Sequence, residues 1–146
     1  MESGKRILGL DFGRKRVGVA VSDPLLLMAH GRETLHYRQR RELLDRLRAI
    51  VEGEDVGLIV VGLPRHLSGD ESDMTARVRE FVAELQAQSS TPVITWDERL
   101  SSRQAERMLS ARNERKRRDK DAIDRGAAVL ILQSYLESPA FARTTA

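Results

Sequence analysis

The stretch from Ile7 to Asp23 constrains the fold more than any other part of the chain, and it reads ILGLDFGRKRVGVAVSD. Two short apolar runs flank the turn-rich segment GRKR. β-Branched residues and glycines favour a strand–turn–strand hairpin here over a helix. Asp11 ends the first run, in what the pattern predicts to be a central strand. A buried carboxylate at such a position needs a cation, a metal ion or hydrogen-bond donors, unless it only brackets the turn through its own backbone.

Hydrophobic periodicity predicts the rest of the secondary structure. A third strand, antiparallel to the second, is expected at Arg32–His36. The near-continuous apolar run Val56–Leu63 is typical of a parallel strand that is covered on both faces, and Val93–Trp96 is a shorter buried strand. Helical spacing of apolar residues predicts helices over 38–52, 74–85 and 121–137.

This order of elements predicts an α/β fold. Because helices cross over between the later strands, those strands must lie parallel to the first. We therefore expect a mixed five-stranded sheet, three antiparallel strands followed by two parallel ones, with helices on both faces. A chain of 146 residues is expected to form a single domain over residues 1–138, with a loose tail at 139–146.

Composition excludes several classes of function. The chain has no cysteine, which excludes disulfides, thiolate nucleophiles and cysteine-based zinc sites. No apolar run approaches the roughly 18 residues of a membrane span, and the first residues do not lead into a secretory signal. The default expectation is therefore a cytoplasmic protein without membrane contact.

Charge is nearly balanced overall, at +3, but basic residues are locally concentrated. Arg112–Lys120 reads RNERKRRDK, and the hairpin turn contributes GRKR. Concentrated cations on a nearly neutral protein indicate a polyanionic partner such as nucleic acid. The expected nucleic-acid-binding residues are Arg14, Lys15, Arg16, Arg112, Arg115, Lys116, Arg117 and Arg118.

Carboxylates follow the same strands and begin the last helix. Ligands of open α/β sheets bind at the carboxyl ends of parallel strands, where Asp11 and Glu98 stand. Asp124 shares a helical face with Ala128 and Ile131, which is a poor place for an anion that binds nothing. Asp121 lies one turn earlier and is expected to reach a metal through water at most. Each acid alone could be a turn or helix-start residue.

Together, Asp11, Glu98 and Asp124 describe an oxygen-ligand site for a hard cation, Mg²⁺ or Mn²⁺. Two such ions about 4 Å apart can activate a water and stabilise the leaving oxygen of a phosphodiester. The residues thus predict a metal-dependent hydrolase that acts on nucleic acid.

Four segments carry a family resemblance. They are LGLDFGRKRVGVAVSD from Leu8, VVGLP from Val60, DERLSS from Asp97 and IDRGAAVLILQSYL from Ile123. Their sequence and order resemble the signature segments of the YqgF/RuvX family of small bacterial proteins. That resemblance implies a ribonuclease H-like fold related to RuvC-type Holliday junction resolvases. It also implies that Asp11, Glu98 and Asp124 match the family's catalytic, metal-binding acids, and that the activity is maturation of the 5′ end of pre-16S rRNA.

One loop departs from the family pattern. The segment Arg65-His66-Leu67-Ser68 stands where the family has an asparagine-containing loop, which puts any substrate contact of that asparagine in doubt here. Arg125-Gly126 fills two positions that are often small or apolar in the family. Neither departure touches the three acids.

Alternative functions are weighed against the same residues. Sugar kinases and actin-like ATPases open with a similar hairpin, but they favour Gly-Thr where this chain has Gly13-Arg14, and they need a second domain. A non-catalytic nucleic-acid-binding or transcription-associated adaptor would gain nothing from three converging carboxylates. Cleavage of precursor rRNA and cleavage of a four-way DNA junction share one apparatus, so both stay open, as does the choice between monomer and homodimer. A precursor of the ribosomal subunit is the partner that the first of these implies.

Overall fold

The computed structural model describes residues 5–64, 72–98 and 120–141, with side chains in the last segment described from Arg125 onward. These ranges contain six strands and three long helices, and the first four strands precede the first helix. The strands are β1 (Arg6–Phe12), β2 (Arg16–Ser22), β3 (Ala29–Gly31), β4 (Leu35–His36), β5 (Val56–Leu63) and β6 (Val93–Asp97). The helices are α1 (Arg40–Gly53), α2 (Asp73–Gln88) and α3 (Lys120–Leu136).

The strands form one mixed sheet in the order β3-β2-β1-β5-β6, with β4 also paired to β2. β1 and β2 are the antiparallel arms of the predicted hairpin, and β5 and β6 run parallel to β1. The predicted α/β class and mixed sheet are confirmed. The sheet has six strands rather than the expected five, because the third predicted strand is split in two.

The split falls at residues 32–34, so the strand predicted at Arg32–His36 is wrong in extent. Ala29–Gly31 and Leu35–His36 each pair with β2. Between them, the Arg32 guanidinium bonds the Glu54 carboxylate, which follows α1, at 3.0 Å. The backbone N–H of Arg32 still donates a hydrogen bond to the Val19 carbonyl of β2 at 2.8 Å, so the chain stays beside the sheet between the two short strands.

Two hydrophobic cores lie on the two faces of the sheet. One joins the even-numbered side chains of β1, such as Leu8 and Leu10, to α1 and α2. The other joins Ile7 and residues of β5 to Ala128, Leu132 and other residues of α3. Helices therefore cover both faces, as predicted, and α3 alone among the described long helices covers the second face.

The start of the tail is packed rather than loose. Residues 139–141 are helical, and the Phe141 ring contacts Tyr135 with 5.9 Å between ring centroids. The first residues of the segment expected to be a loose tail thus pack on the domain, because Phe141 adds to the α3 core. Residues 142–146 lie outside the described ranges.

Candidate active site

The carboxyl ends of β1, β5 and β6 meet at one edge of the sheet, and Asp11 lies there on the face covered by α3. Side chains alternate along a strand. Ile7 belongs to the α3 core, so Asp11, four residues later, faces the same side. The pairing of Leu10 with Val61 places Asp11 one step beyond, level with Gly62 of β5. Asp11 is partly buried at this position.

Glu98 approaches Asp11 from β6, across β5. β6 ends at Asp97, and Trp96 pairs with Gly62, so Glu98 follows immediately at the same sheet edge. The Glu98 Oε1 atom lies 2.9 Å from the place where a Cβ atom on Gly62 would stand. Strands two apart in a sheet are separated by roughly 9.6 Å. Two carboxyl groups on such strands can therefore meet only if the middle strand has a very small side chain between them. Gly62 leaves that space free.

The carboxyl group of Glu98 is hydrogen-bonded to that of Asp11, and its pKa is raised overall. Burial raises the pKa of Glu98, and the hydrogen bond with Asp11 opposes part of that rise. The negative charge of Asp97 raises the pKa of Glu98 further. A hydrogen bond between two carboxyl groups requires a proton on one of them. A cation bound beside the two groups would offset their mutual repulsion when both are ionised.

A cleft of about 230 Å³ opens over this pair. Asp11, Trp96 and Glu98 form the sheet side. The α3 side is formed by Ala127, Leu130, Ile131 and Ser134. The indole Nε1–H of Trp96 donates a hydrogen bond to the Ser134 hydroxyl at 3.0 Å, which fixes the helix to the strand beside the acids. The cleft combines an apolar helix wall with a paired acidic floor.

Asp121 and Asp124 both lie within α3, but their side chains are outside the described part. Asp124 is three residues before Ala127 and seven before Ile131, so helical spacing puts it on the face that lines the cleft. Among the described side chains, no group of three or more acids or histidines forms a metal site. The described pair thus supplies two carboxylates of the predicted three.

The hairpin brings its basic residues to the same edge. Arg14 and Lys15 are exposed at the turn, and Arg16 is partly buried at the start of β2. Asp11 pairs with Gly18, so Arg16 occupies the diagonal position on the α3 face. The Tyr37 hydroxyl holds the turn by donating a hydrogen bond to the Gly13 carbonyl at 2.7 Å. The remaining predicted cations, Arg112, Arg115, Lys116, Arg117 and Arg118, lie outside the described residues.

Sequence reasoning missed three residues of this site. Gly62, Trp96 and Ser134 bear neither charge nor nucleophile suited to the predicted reaction, so no chemical pattern singled them out. Gly62 did carry a signal, since a glycine within a buried parallel strand marks a close approach by another group. The Trp96–Ser134 hydrogen bond joins residues 38 positions apart and has no local signature.

The fold first defines a class, the ribonuclease H-like fold of solved Holliday junction resolvases. RuvC of T. thermophilus, solved in complex with a Holliday junction substrate, is similar with a TM-score of 0.61 over 97% of this chain and 96% of that chain. The yeast mitochondrial Holliday junction resolvase Ydc2 is similar with a TM-score of 0.57 over 100% of this chain and 86% of that one. The sequence identities are 15% and 11%, so these likenesses concern the fold.

A family model described as "RuvX: Holliday junction resolvase" matches residues 5–138, and the chain belongs to this family. The predicted family resemblance is thereby confirmed. A Koribacter versatilis protein is 46% identical over 132 residues, which are 90% of this chain and 86% of that protein. A Porphyromonas gingivalis protein is 44% identical over 137 residues, 92% of this chain and 97% of that protein. Both relatives bear the name "Putative pre-16S rRNA nuclease", which supports a nuclease as the general class of activity.

No helix within the described ranges has the length and hydropathy needed to cross a bilayer.

Proposed function

We propose that this chain is a metal-dependent endonuclease that matures the 5′ end of pre-16S rRNA in the cytoplasm, acting on a precursor of the ribosomal subunit. The observation that carries the proposal is the contact of the Asp11 and Glu98 carboxyl groups over Gly62. The pair lies at the sheet edge where open α/β folds bind their ligands. The names of the relatives favour precursor rRNA as the substrate.

The donor set fits one or two divalent cations. Asp11 and Glu98 supply oxygen ligands, which Mg²⁺ and Mn²⁺ prefer. Burial raises the pKa of Glu98, and a bound cation would offset the cost of holding its negative charge in the cleft. Asp124 is the third ligand that we assign, because its helical spacing continues the face of Ala127 and Ile131. When bound, such ions would supply Lewis-acid activation of water and neutralise charge on the phosphodiester.

Other residues of the chain orient the substrate. The exposed Arg14 and Lys15, with Arg16 behind them, place positive charge beside the acids, where a phosphate backbone enters. The apolar wall of Leu130 and Ile131 limits the water that reaches the cleft from the helix side. The hydrogen bond from Trp96 to Ser134 keeps α3 in position against β6, beside the two acids. The resulting roles are cation binding by the acids, phosphate binding by the hairpin and water exclusion by α3.

Resolution of a Holliday junction is the second candidate, and the description of the matching family model favours it. A non-catalytic adaptor is disfavoured, since a binder of polyanions is weakened by an uncompensated acid pair at its binding edge.

The deciding experiment compares two substrates. Purified protein is incubated with Mg²⁺ or Mn²⁺ and either a precursor rRNA 5′ segment or a synthetic four-way junction. We expect cleavage of the RNA at a discrete site, and none with the Asp11→Asn variant purified in parallel, which controls for contaminating nucleases. Cleavage of the junction alone would transfer the assignment to a resolvase. Equal cleavage by wild type and Asp11→Asn, or none by wild type on either substrate, would contradict a nuclease centred on Asp11.

A further inference from the structure

Arg125 of α3 has a buried donor without an acceptor. Its Nε atom is buried and has no hydrogen-bond partner in the structure, and within the described residues the guanidinium makes no ion pair. An unmet donor of a charged group costs more than an ordinary unmade hydrogen bond. Such a group is tolerated where a ligand completes it. Its neighbour in sequence is Asp124, the acid assigned to the cleft face.

The sheet makes room at Gly31 for the stem of Arg125, which is the aliphatic part of its side chain. A Cβ atom on Gly31 would lie 2.6 Å from the Arg125 Cδ atom and still closer to its Cγ atom, which is nearer than side chains approach. Gly31 is therefore required for the stem to cross β3 at this depth. The aliphatic part of the Arg125 side chain therefore lies against the edge strand β3 of the sheet.

Arg125 is a cation whose buried Nε–H has no acceptor. Another arginine that follows β3, Arg32, pairs with Glu54 at 3.0 Å. A guanidinium N–H donor matches the oxygens of a phosphate better than any neutral acceptor.

The register of the sheet gives the separation between Arg125 and the acids. Gly31 pairs with Ala20, and Ala20 pairs with Gly9, so Gly31 stands two strands from β1. Asp11 is two residues further along β1. With about 4.8 Å between strands and about 3.3 Å per residue, the backbone at Gly31 lies roughly 12 Å from that at Asp11. At roughly 3.4 Å of rise per nucleotide, this corresponds to about three to four nucleotides of one strand.

We propose that Arg125 binds a backbone phosphate of the substrate about three to four nucleotides from the cleaved bond, with Gly31 providing the space for its side chain. The inference rests on the proposed nuclease function and extends the basic surface from the hairpin, on one side of the acids, to the edge strand β3. Arg125 is a substrate-binding residue in this assignment and takes no part in the chemical step.

The first experiment measures binding without cleavage. In an Asp11→Asn background, affinity for the labelled substrate is titrated against salt for Arg125→Gln, Arg125→Lys and Arg77→Gln. Arg77 is an exposed arginine of α2, on the opposite face, and is the matched control. We expect Arg125→Gln to weaken binding about tenfold and to reduce the logarithmic salt slope by about 0.7 to 0.9. The affinity of Arg125→Lys should lie between those of Arg125→Gln and the Asp11→Asn parent. The affinity and salt slope of Arg77→Gln should equal those of the parent.

A phosphate scan then locates the contact. Methylphosphonates replace single phosphates at successive positions on both sides of the mapped cleavage site. The parent should lose affinity at one position about three to four nucleotides away, and Arg125→Gln should show no further loss there. Additive losses at every position would overturn the assignment, since they would mean that Arg125 contacts no particular phosphate.

Gly31→Ala provides an independent variant that keeps all charges. We expect it to displace the Arg125 stem and to reproduce the weakened binding, with an unchanged helical circular dichroism spectrum. If Gly31→Ala does not fold, the Arg125 variants decide alone. A wild type that binds but does not cleave would contradict the proposed nuclease, whereas the binding titration would still test Arg125. Unchanged affinity and salt slope in Arg125→Gln would overturn the inference even in an active nuclease.

Discussion

The Glu98 Oε1 atom lies 2.9 Å from the position that a Cβ atom on Gly62 would occupy. The same Cβ atom would also collide with the side chain of Ile131 on α3. Because Gly62 has no side chain, both the Ile131 side chain of α3 and the Glu98 carboxyl group can approach β5 at the candidate site. The contact between Glu98 and Asp11 depends on this minimal side chain.

Gly62→Ala tests that relationship. The added methyl group would push Glu98 away from Asp11 and α3 away from β5, so we expect cleavage to fall at least tenfold. Overpacking of this kind also costs roughly 1–3 kcal/mol of folding free energy. Gly53→Ala is the control, because nothing lies within 4 Å of a Cβ atom at Gly53. Cleavage rates and urea unfolding of both variants are the measurements, and a fully active Gly62→Ala enzyme would contradict the arrangement.

Glu98→Gln should abolish cleavage and should not destabilise the metal-free protein at neutral pH. The folded-state pKa of Glu98 is raised, chiefly by burial, so its contribution to stability is complete below its unfolded pKa of about 4.5 and is lost as pH rises through the folded value. The variant lacks this titration. We therefore expect it to match or exceed wild type in melting temperature at pH 7, with the advantage shrinking toward pH 4.

The comparison runs in the absence of metal and again with Mn²⁺. Added Mn²⁺ should stabilise wild type more than Glu98→Gln, because only wild type keeps the full ligand set. If instead the variant were less stable than wild type at pH 7 without metal, the carboxyl pair would be a favourable structural contact and not a site that awaits a cation.

Much of the fold followed from local patterns, and the positions where prediction failed have a physical cause. The apolar runs of β1 and β5 predict buried strands, and the helices between the strands predict that β5 and β6 lie parallel to β1. Asp11 and the end of β6 were therefore expected at the same edge of the sheet. The third strand is interrupted at residues 32–34, where the Arg32 side chain bonds Glu54, 22 residues away, and no local pattern encodes that contact. Gly62 was missed because its role is an absence of atoms, which acquires meaning only once Glu98 and Ile131 are placed.

The basic run at 115–118 should contribute affinity and no chemistry. Replacement of Arg115, Lys116, Arg117 and Arg118 by alanine removes four cations that are close enough in sequence to follow one backbone. We expect weaker binding across all sequences and a salt slope that flattens by roughly 0.7–0.9 per lost phosphate contact. Cleavage at saturating substrate should persist. Unchanged salt slopes would mean that the run is only a solvated group of charges.

Glu54 links the end of α1 to two arginines and should give an acid-sensitive contribution to stability. The hydrogen bond from Arg32 lowers the pKa of Glu54, and the charges of Arg32 and Arg6 add to the effect. A lowered pKa means that the stabilisation is present above the unfolded pKa of about 4.5 and is lost as pH falls through the folded value. Because the pair is partly exposed to solvent, which screens it, Glu54→Gln should cost no more than about 1 kcal/mol at pH 7. Melting curves should show that difference shrink as the pH falls below about 4.5, and a pH-independent difference would indicate lost packing instead.

Asp121 and Asp124 can be separated by mutation because they differ in helical position. Both lie in α3, one turn apart, but only Asp124 continues the spacing of Ala127 and Ile131, which line the cleft. A cation held by Asp11 and Glu98 at the sheet edge would therefore take Asp124 as its third carboxylate, and Asp121 would reach it through water at most. Asp124→Asn should remove Mn²⁺ binding and cleavage, while Asp121→Asn should lower both several-fold or less.

Calorimetric titration of Mn²⁺ into the two variants measures this difference directly, and the pair serves as its own control because each substitution removes one charge from the same helix. The helical circular dichroism signal should be equal in both. Loss of Mn²⁺ binding in Asp121→Asn with retention in Asp124→Asn would move the site one helical turn toward the start of α3. That outcome would place the third ligand away from the wall formed by Ala127 and Ile131. A cation in the cleft over Asp11 and Glu98 would then need a different third ligand.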